Sequence, residues 1–593
     1  MATTHVKGNT PVEVGADEHL TSRLWQRASG SGTREVLRYW DAGAWRGLTW
    51  AQLGDRVRAV AAGLIGMGIG KGDRVALMSN TRVEWTVTDL AILAVGGVTV
   101  PLYETSSAEQ CAWILSDSAT KLAVCATPDH AKVLDQARAE ASDLGEIFVI
   151  DDGGLDALAE RAGDGDPEKV TERAGGLGQG DLASIIYTSG TTGNPKGCSL
   201  THGNLLSTAR QTEINLAALF GPEASTLLFL PLAHVFARII QFVALESDVQ
   251  MGYARSVEQL AEDLQSFSPT FLLSVPRVFE KVFNGAQRKA EGAKAKVFDF
   301  AVQAAQDWAS TDQPGLVANL KRGLADKLVY SKLRHALGGK IRYCVSGGAP
   351  LAPHLAYFFH AAGITILEGY GLTETSAASC VNTPKAMRIG TVGQPSPGTE
   401  VMVAEDGELL MRGSGVFTGY WHNDRATGEV ITDDGWFRTG DIGEIDDDGF
   451  VRITGRKKEL IVTAAGKNVA PAVLEERLKS HRLVSQAMVV GDNRPFVAAM
   501  ITLEPDELTA FATEHGLSGG PSELRTNAQV LAELGKAVDH ANSAVSKAES
   551  IRKITVLDRD FTEEHNEMTP TMKLRRRNII ENFGDEIEAL YAS

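Results

Sequence analysis

Cysteine is scarce in these 593 residues, with Cys111, Cys125, Cys198, Cys344 and Cys380 scattered singly along the chain. None stands in C-x-x-C spacing, and an odd number cannot all pair within one chain, so a reduced, cytoplasmic setting is expected. Long apolar runs are also missing. The longest uncharged stretch, around "LAILAVGGVTVPLY", is shorter than a bilayer span and is broken by glycines. The opening "MATTHVKGNTPVEVGADEHL" has no apolar signal core, so neither secretion nor membrane spanning is expected. Positive charge is in deficit: 58 Lys and Arg against 75 Asp and Glu leave a net charge of −17. That balance argues against broad nucleic-acid binding and requires any anionic ligand to find a local basic pocket. What remains, 43% apolar and 22% charged residues, is ordinary globular composition with room for a sizeable core.

From about Trp50 to His360, apolar strands alternate with helical patterns. "RVRAVAAGLIGMGI" reads as helix, "DRVALMS" as strand, "VEWTVTDLAILAVGG" as helix and "VTVPLY" as strand. This rhythm predicts an α/β fold of parallel sheets covered by helices. Between Gly285 and Gly339 the chain turns rich in Ala, Lys and Leu at helical spacing, which reads as a helical insertion. From Gly390 short strands and turns, with a tight turn at Asp446 to Gly449, predict a β-rich subdomain. After "GRKK" a small α+β unit begins with "LIVT", a helix through "PAVLEERLKSH", the strands "SQAMVVG" and "FVAAMITL", and then long polar helices. The expected division is a large N-terminal domain, 1–456, and a small C-terminal domain, 457–593.

Tyr187 to Gly197, "YTSGTTGNPKG", concentrates donors in eleven residues. Glycines at 190, 193 and 197 let backbone N–H groups turn inward, and the hydroxyls of Thr188, Ser189, Thr191 and Thr192 with the Lys196 ammonium add more, a composition suited to phosphate. The Walker pattern fails, because Lys196 lies between Pro195 and Gly197 rather than opening a helix. The expected arrangement is strand, loop, strand, with a helix starting only at Thr201 as N-cap.

Four further stretches complete a set: "EGYGLTETS" (Glu368 to Ser376), "TGD" (Thr439 to Asp441), "GRKKELIVTAAGKNVAP" (Gly455 to Pro471) and "TPTMKLRRR" (Thr569 to Arg577). Together with the loop, and in this order, they resemble the adenylate-forming superfamily of acyl-CoA synthetases, peptide-synthetase adenylation domains and beetle luciferases. "PLYETSSAEQ", "PLAHVFAR", "VPRVFEKV" and the helical insertion are similar to bacterial long-chain fatty acid CoA ligases. The resemblance implies ATP, Mg²⁺ and coenzyme A as ligands and a fatty acid as substrate. A carboxylate would attack the α-phosphate of ATP, expel pyrophosphate and become an acyl-adenylate, from which a thiol displaces AMP. Such crowding of negative charge calls for cations and preorganised donors.

The resemblance assigns Thr188, Ser189, Thr191, Thr192 and Lys196, with Gly190 and Gly193, to the β- and γ-phosphates. Glu374 becomes the Mg²⁺ ligand and Thr373 an α-phosphate contact. Tyr370, followed by Gly371, is the adenine-stacking ring, and Gly347, Gly348 and Ala349 within "SGGAP" form an adenine wall. Asp441 suits the ribose physically, since a carboxylate can accept from both hydroxyls, with Arg456 as a neighbouring donor. Lys573 is expected at the α-phosphate and acyl carboxylate in the first step. For the second step Lys458 is the pivot of the C-terminal domain, and Gly466 leaves room for pantetheine. His234 is assigned to substrate positioning, although a lone histidine among apolar residues is commonly a core residue. "LRRR" after Lys573 reads as a solvated face rather than a patch for the phosphates of CoA. Two rivals share these motifs: a ligase that loads a carrier-protein phosphopantetheine, and a catalytically silent nucleotide-binding protein. Acyl chain length, oligomeric state and peripheral membrane attachment stay open at this stage.

Overall fold

The computed structural model describes residues 4–163, 167–188, 194–290, 293–311, 313–464, 466–569 and 573–592. Two large sheets dominate. In the first, strands run in the order Gly419–Tyr420, Lys196–Thr201, Leu182–Thr188, Val98–Leu102, Arg74–Met78, Leu122–Cys125 and Ile147–Val149. Its last five strands are parallel, and Lys196–Thr201 returns antiparallel against Leu182–Thr188. The second sheet has nine strands, with Ser225–Leu228, Phe271–Ser274, Tyr343–Ser346 and Thr365–Tyr370 parallel at its centre. Helices cover the faces, so the central strands read as unbroken apolar runs, and Val98–Leu102 is buried throughout.

Local chemistry sets the helix starts. Thr49, Ser107 and Thr201 each form a capping box, the last with Asn204, and Thr201 fulfils its expected role at the start of His202–Asn215. Between the sheets lies a buried ion pair that joins three elements. Arg238 on the helix Val235–Ser247 bonds Asp89 on the helix Val83–Ala94 at 2.5 Å, and its second nitrogen donates to Ser184 Oγ on the strand entering the phosphate loop. Both charged side chains are fully buried.

Two elements escape the sequence pattern. The strands Glu35–Asp41 and Ala44–Thr49 form an edge hairpin on the nine-stranded sheet, turning through Ala42 and Gly43 at positive φ. His5–Lys7 pairs with Thr399–Val403, almost 400 residues away, at the margin of the expected β-rich sheet. The remaining strands of that sheet are Glu408–Gly413, Phe437–Ile445 and Val451–Arg456, all antiparallel. The helical insertion runs through Pro276–Arg288, Ala293–Ala309 and Leu316–Ala325 to Ser331–Ala336, and packs with Pro353–Ala361 around Phe279, Phe283, Phe298, Tyr330, Phe358 and Phe359.

Residues from Ile461 onward build their own small sheets and cores. The strands Val484–Val490 and Val497–Leu503 lie where expected. The tail is not helical throughout, because Ile551–Val556 adds a parallel strand beside Val497–Leu503. Its "IRKITV" interior is half exposed, and such an edge strand carries too weak an alternation to stand out among polar helices. The basic run after Lys573 is also corrected in part: Arg577 is exposed and pairs with Glu581, but Arg576 is drawn inward onto Glu475 and Glu459.

Candidate active site

The phosphate-loop hairpin closes with Thr188 opposite Lys196. Ser189, Gly190, Thr191, Thr192 and Gly193 lie outside the described residues. Lys196 projects over the ring of Tyr420 at 5.0 Å, and the Tyr420 hydroxyl donates to Glu374 Oε1 at 2.9 Å. Tyr420 reaches this place because Gly419–Tyr420 pairs with the strand that follows the loop, opposite Cys198. Behind the pair, the Thr188 hydroxyl meets the Cys198 sulfur at 3.9 Å. Burial and then the Glu374 carboxylate push the Cys198 thiol far up, so it stays neutral.

Glu374 and Thr373 sit on a single turn of 3₁₀ helix, Thr373–Thr375, just beyond the strand Thr365–Tyr370. Gly371 makes that turn possible: a Cβ there would fall 1.3 Å from the Ala377 carbonyl oxygen. Ser376 and Ala377 hold positive φ, a conformation that non-glycine residues seldom adopt. The turn thus fixes Thr373, which is buried, and points Glu374 toward Tyr420. No ion pair engages Glu374 among the described residues, and no cluster of three or more metal-type ligands exists among them. Mg²⁺ keeps waters and phosphate oxygens in its shell and needs only one or two carboxylates. A lone Glu374 therefore fits the ion.

Asp441, 2% exposed, is held from two sides. Arg456 Nε lies 2.8 Å from Oδ1, across the register of Phe437–Ile445 and Val451–Arg456, and the Tyr370 hydroxyl donates to Oδ2. Burial raises the Asp441 pKa, opposed by Arg456 and Tyr370. The "SGGAP" loop follows the strand Tyr343–Ser346. Gly347 is small because a Cβ would stand 3.0 Å from the Phe236 ring, Gly348 takes φ +83°, and Ala349 is exposed beside them. The Ser346 hydroxyl is buried with no hydrogen-bond partner, an unpaired donor at the edge of the cleft.

His234 caps the helix Val235–Ser247, its Nδ1 accepting from the Phe236 N–H at 3.1 Å. Burial, and then the ammonium of Lys573, hold its pKa down to about 3, so the ring is neutral. Lys573 comes from the other end of the chain. Its side chain is solvent-accessible, yet the cleft walls desolvate it and lower its pKa; Arg456 lowers it further, while Asp441, Glu374 and Glu459 oppose. The structure therefore brings Glu374, Asp441, Arg456 and His234 each within electrostatic reach of Lys573.

Two assigned residues stand apart. Lys458 is exposed in the turn Lys457–Glu459 that joins the two parts of the chain. Gly466 takes φ +75° with nothing within 4 Å of a Cβ, so here its conformation, rather than close packing, accounts for glycine. Tyr420 and Cys198 escape a reading of the sequence. Neither belongs to a local motif, and only the register of the short strand Gly419–Tyr420 brings them together.

Lys196, Glu374, Asp441 with Arg456, and a lysine delivered by the C-terminal unit thus gather where three sheets meet. Residues 24–421 match the AMP-binding enzyme family and residues 458–593 the AMP-binding enzyme C-terminal domain. The chain belongs to the AMP-binding enzyme family. It is 46% identical over 590 residues to the long-chain-fatty-acid–CoA ligase FadD15 of Mycobacterium tuberculosis, covering 98% of both chains. In fold it is similar to the anthranilate CoA ligase AuaEII in complex with anthranoyl-AMP (TM-score 0.73, 21% identity, 96% of this chain and 98% of that one). It is similar also to ATP-bound MatB from Rhodopseudomonas palustris (TM-score 0.71, 24% identity, 96% and 99%).

Proposed function

We propose that this protein is an ATP-dependent ligase that activates a long-chain fatty acid as its acyl-adenylate and transfers the acyl group to coenzyme A, releasing AMP and pyrophosphate. The observation that carries this reading is that Asp441, held by Arg456 and Tyr370, and Glu374, held by Tyr420 beneath Lys196, both lie within electrostatic reach of Lys573. Near-complete alignment with a fatty-acid–CoA ligase supports the substrate class.

In the first step Lys196 and the loop hydroxyls hold the β- and γ-phosphates. Asp441 accepts the ribose hydroxyls on lone pairs that Arg456 and Tyr370 leave available. Lys573 neutralises charge where the carboxylate meets the α-phosphate, and His234, as a neutral cap, borders the carboxylate without adding charge. Mg²⁺ held by Glu374 would screen the phosphates and help pyrophosphate leave.

The thiol of the second step needs the space that Lys573 fills. Residues 457–593 act as a mobile domain turning about Lys458. The flanking contacts support this pivot. Lys457 is tied to Asp406 and Glu408 on one side, at 2.6 and 2.9 Å, and Glu459 to Arg576 on the other, at 3.3 Å. Lys458 thus lies between a residue anchored to the β-rich sheet and one anchored to the C-terminal unit. Gly466 would enter the cleft after that turn.

The test is acid-dependent exchange of pyrophosphate into ATP, scored from acetate through long-chain to aryl acids, followed by transfer to free coenzyme A or to a phosphopantetheinylated carrier protein. Strong exchange with long-chain acids and transfer to free coenzyme A are expected. Transfer to the carrier protein alone would make the protein a carrier-loading ligase.

A further inference from the structure

The phosphate-loop hairpin is held at both ends by one helix that lies outside the sequence motifs. Trp113 and Asp117 stand one turn apart on the outer face of the helix Ala108–Asp117, whose inner face, with Cys111, Ile114 and Leu115, is buried. The Ser107 capping box fixes the start of that helix, so its outer face is a rigid support. The Trp113 indole N–H donates to the Pro195 carbonyl at 2.9 Å, on the outgoing end of the loop. On the incoming end, the Tyr187 hydroxyl donates to the Asp117 carboxylate at 2.6 Å. Trp421, whose backbone N–H donates to the Gly197 carbonyl at 2.7 Å, turns its indole onto the Asp117 carbonyl at 3.1 Å.

These bonds are not what holds the strands in place. Leu182–Thr188 is already paired between Val98–Leu102 and Lys196–Thr201, and Ile185 and Ile186 bury its middle. Trp113 is 37% exposed and belongs to none of the buried cores among the described residues, so its ring adds little to stability. What the two bonds fix is direction. The Pro195 carbonyl and the Lys196 nitrogen share one planar peptide, and a donor on that carbonyl sets the plane from which Lys196 leaves toward Tyr420. Pro195 has no N–H, so its carbonyl is the one backbone polar group by which a neighbour can hold it. Tyr187 immediately precedes Thr188, the partner of Lys196 across the hairpin. Burial, and then the Asp117 carboxylate, push the Tyr187 hydroxyl up, so it stays a donor. A glycine-rich loop is costly to order, and groups that set its ends in advance lower the cost of binding.

We propose that Trp113 and Asp117 are positioning residues for ATP, setting the Pro195–Lys196 peptide and the place of Thr188 so that the two loop ends are ready for the β- and γ-phosphates. This rests on the reading of Tyr187 to Gly197 as the phosphate loop and holds whichever acid is activated. The test is calorimetric titration of Mg²⁺-ATP and of AMP, with no acid present, into the full-length parent and its variants. AMP lacks both outer phosphates, so its affinity reads the rest of the cleft. Trp113→Phe should weaken Mg²⁺-ATP about threefold to fivefold, the upper figure being the full worth of one neutral hydrogen bond. Tyr187→Phe should weaken it about threefold to tenfold, because its lost bond ends on a carboxylate. Asp117→Asn keeps an oxygen acceptor for the Tyr187 hydroxyl and should stay within about twofold of the parent. In Trp113→Phe both the AMP affinity and the melting temperature should match the parent. Mg²⁺-ATP affinity unchanged in Trp113→Phe and Tyr187→Phe overturns the proposal, as does equal weakening of Mg²⁺-ATP and AMP, the mark of a merely structural role. A parent that binds no Mg²⁺-ATP brings down the phosphate-loop reading itself, and the proposal with it, before any variant is compared.

Discussion

Tyr420 links the two assigned charges of the phosphate end, with Lys196 on its ring and Glu374 on its hydroxyl. Tyr420→Phe keeps the ring and removes only the donor. The expected result is an apparent affinity for Mg²⁺-ATP weakened about tenfold, the worth of one hydrogen bond to a charged group at the low end of its range, with the melting temperature little changed. Titration of Mg²⁺ in the exchange assay reads it, and an unchanged profile removes Tyr420 from the site. Lys573→Ala should cost adenylation on the order of a hundredfold or more while sparing conversion of supplied acyl-adenylate and coenzyme A. Equal loss in both half-reactions would place Lys573 in the general fold instead. At this scale the sequence is informative wherever chemistry needs adjacent residues: Thr373 with Glu374, and Thr439 to Asp441. It is silent on Tyr420 and on the inward turn of Arg576, because Glu475 lies about a hundred residues from its partner.

Among the elements, the helix Val235–Ser247 has two duties: its N-cap is His234, and one turn later Arg238 fastens it to Asp89 and to the strand feeding the phosphate loop. Removing one partner of a fully buried pair leaves an uncompensated charge, so Asp89→Ala should destabilise the protein by about 3–5 kcal/mol. A denaturant midpoint within error of the parent would contradict this. The alternating strands and helices are legible because buried parallel strands show as apolar runs bounded by turns. The "EVLRYWDAGAWRGLT" hairpin is not, since its edge strand and the half-buried strand beside it mix aromatic and charged residues without a clean period of two. The strand Lys196–Thr201 lies where expected, yet its second neighbour, Gly419–Tyr420, is two residues long and exists only through its partner.

For the molecule as a whole, what matters is how firmly the C-terminal unit rests on the rest. Arg277 and Arg288 of the helix Pro276–Arg288 reach Glu504 and Asp506 at 3.2 and 2.7 Å, a clasp of opposite charges. Close by, like charges meet. Burial, and then the proximity of Glu280 and Glu475 against the pull of Lys479 and Arg477, push Glu476 up to about 7. Burial pushes Glu368 up to about 7 as well, with Glu476 adding to it. Glu368 belongs to the strand before the 3₁₀ turn of the active site, and Glu476 to the helix Pro471–Lys479 beyond the proposed pivot. Both carboxyls are neutral when docked below their raised pKa. As pH rises through about 7 both must ionise side by side, so the docked arrangement is favoured at low pH and loses that advantage as pH climbs. A tenfold change in proton affinity corresponds to about 1.4 kcal/mol, and contact of Glu476 with water reduces the effect, so a few-fold change between about pH 6 and 8 is expected. The measurable quantity is the rate of transfer from supplied acyl-adenylate relative to adenylation, which should rise with pH in the parent. Glu476→Gln keeps the shape without the charge, and its ratio should rise clearly less over the same interval, leaving only the part due to Glu368. If that variant retains the parent's slope, the pH dependence arises elsewhere and the carboxyl pair does not govern docking.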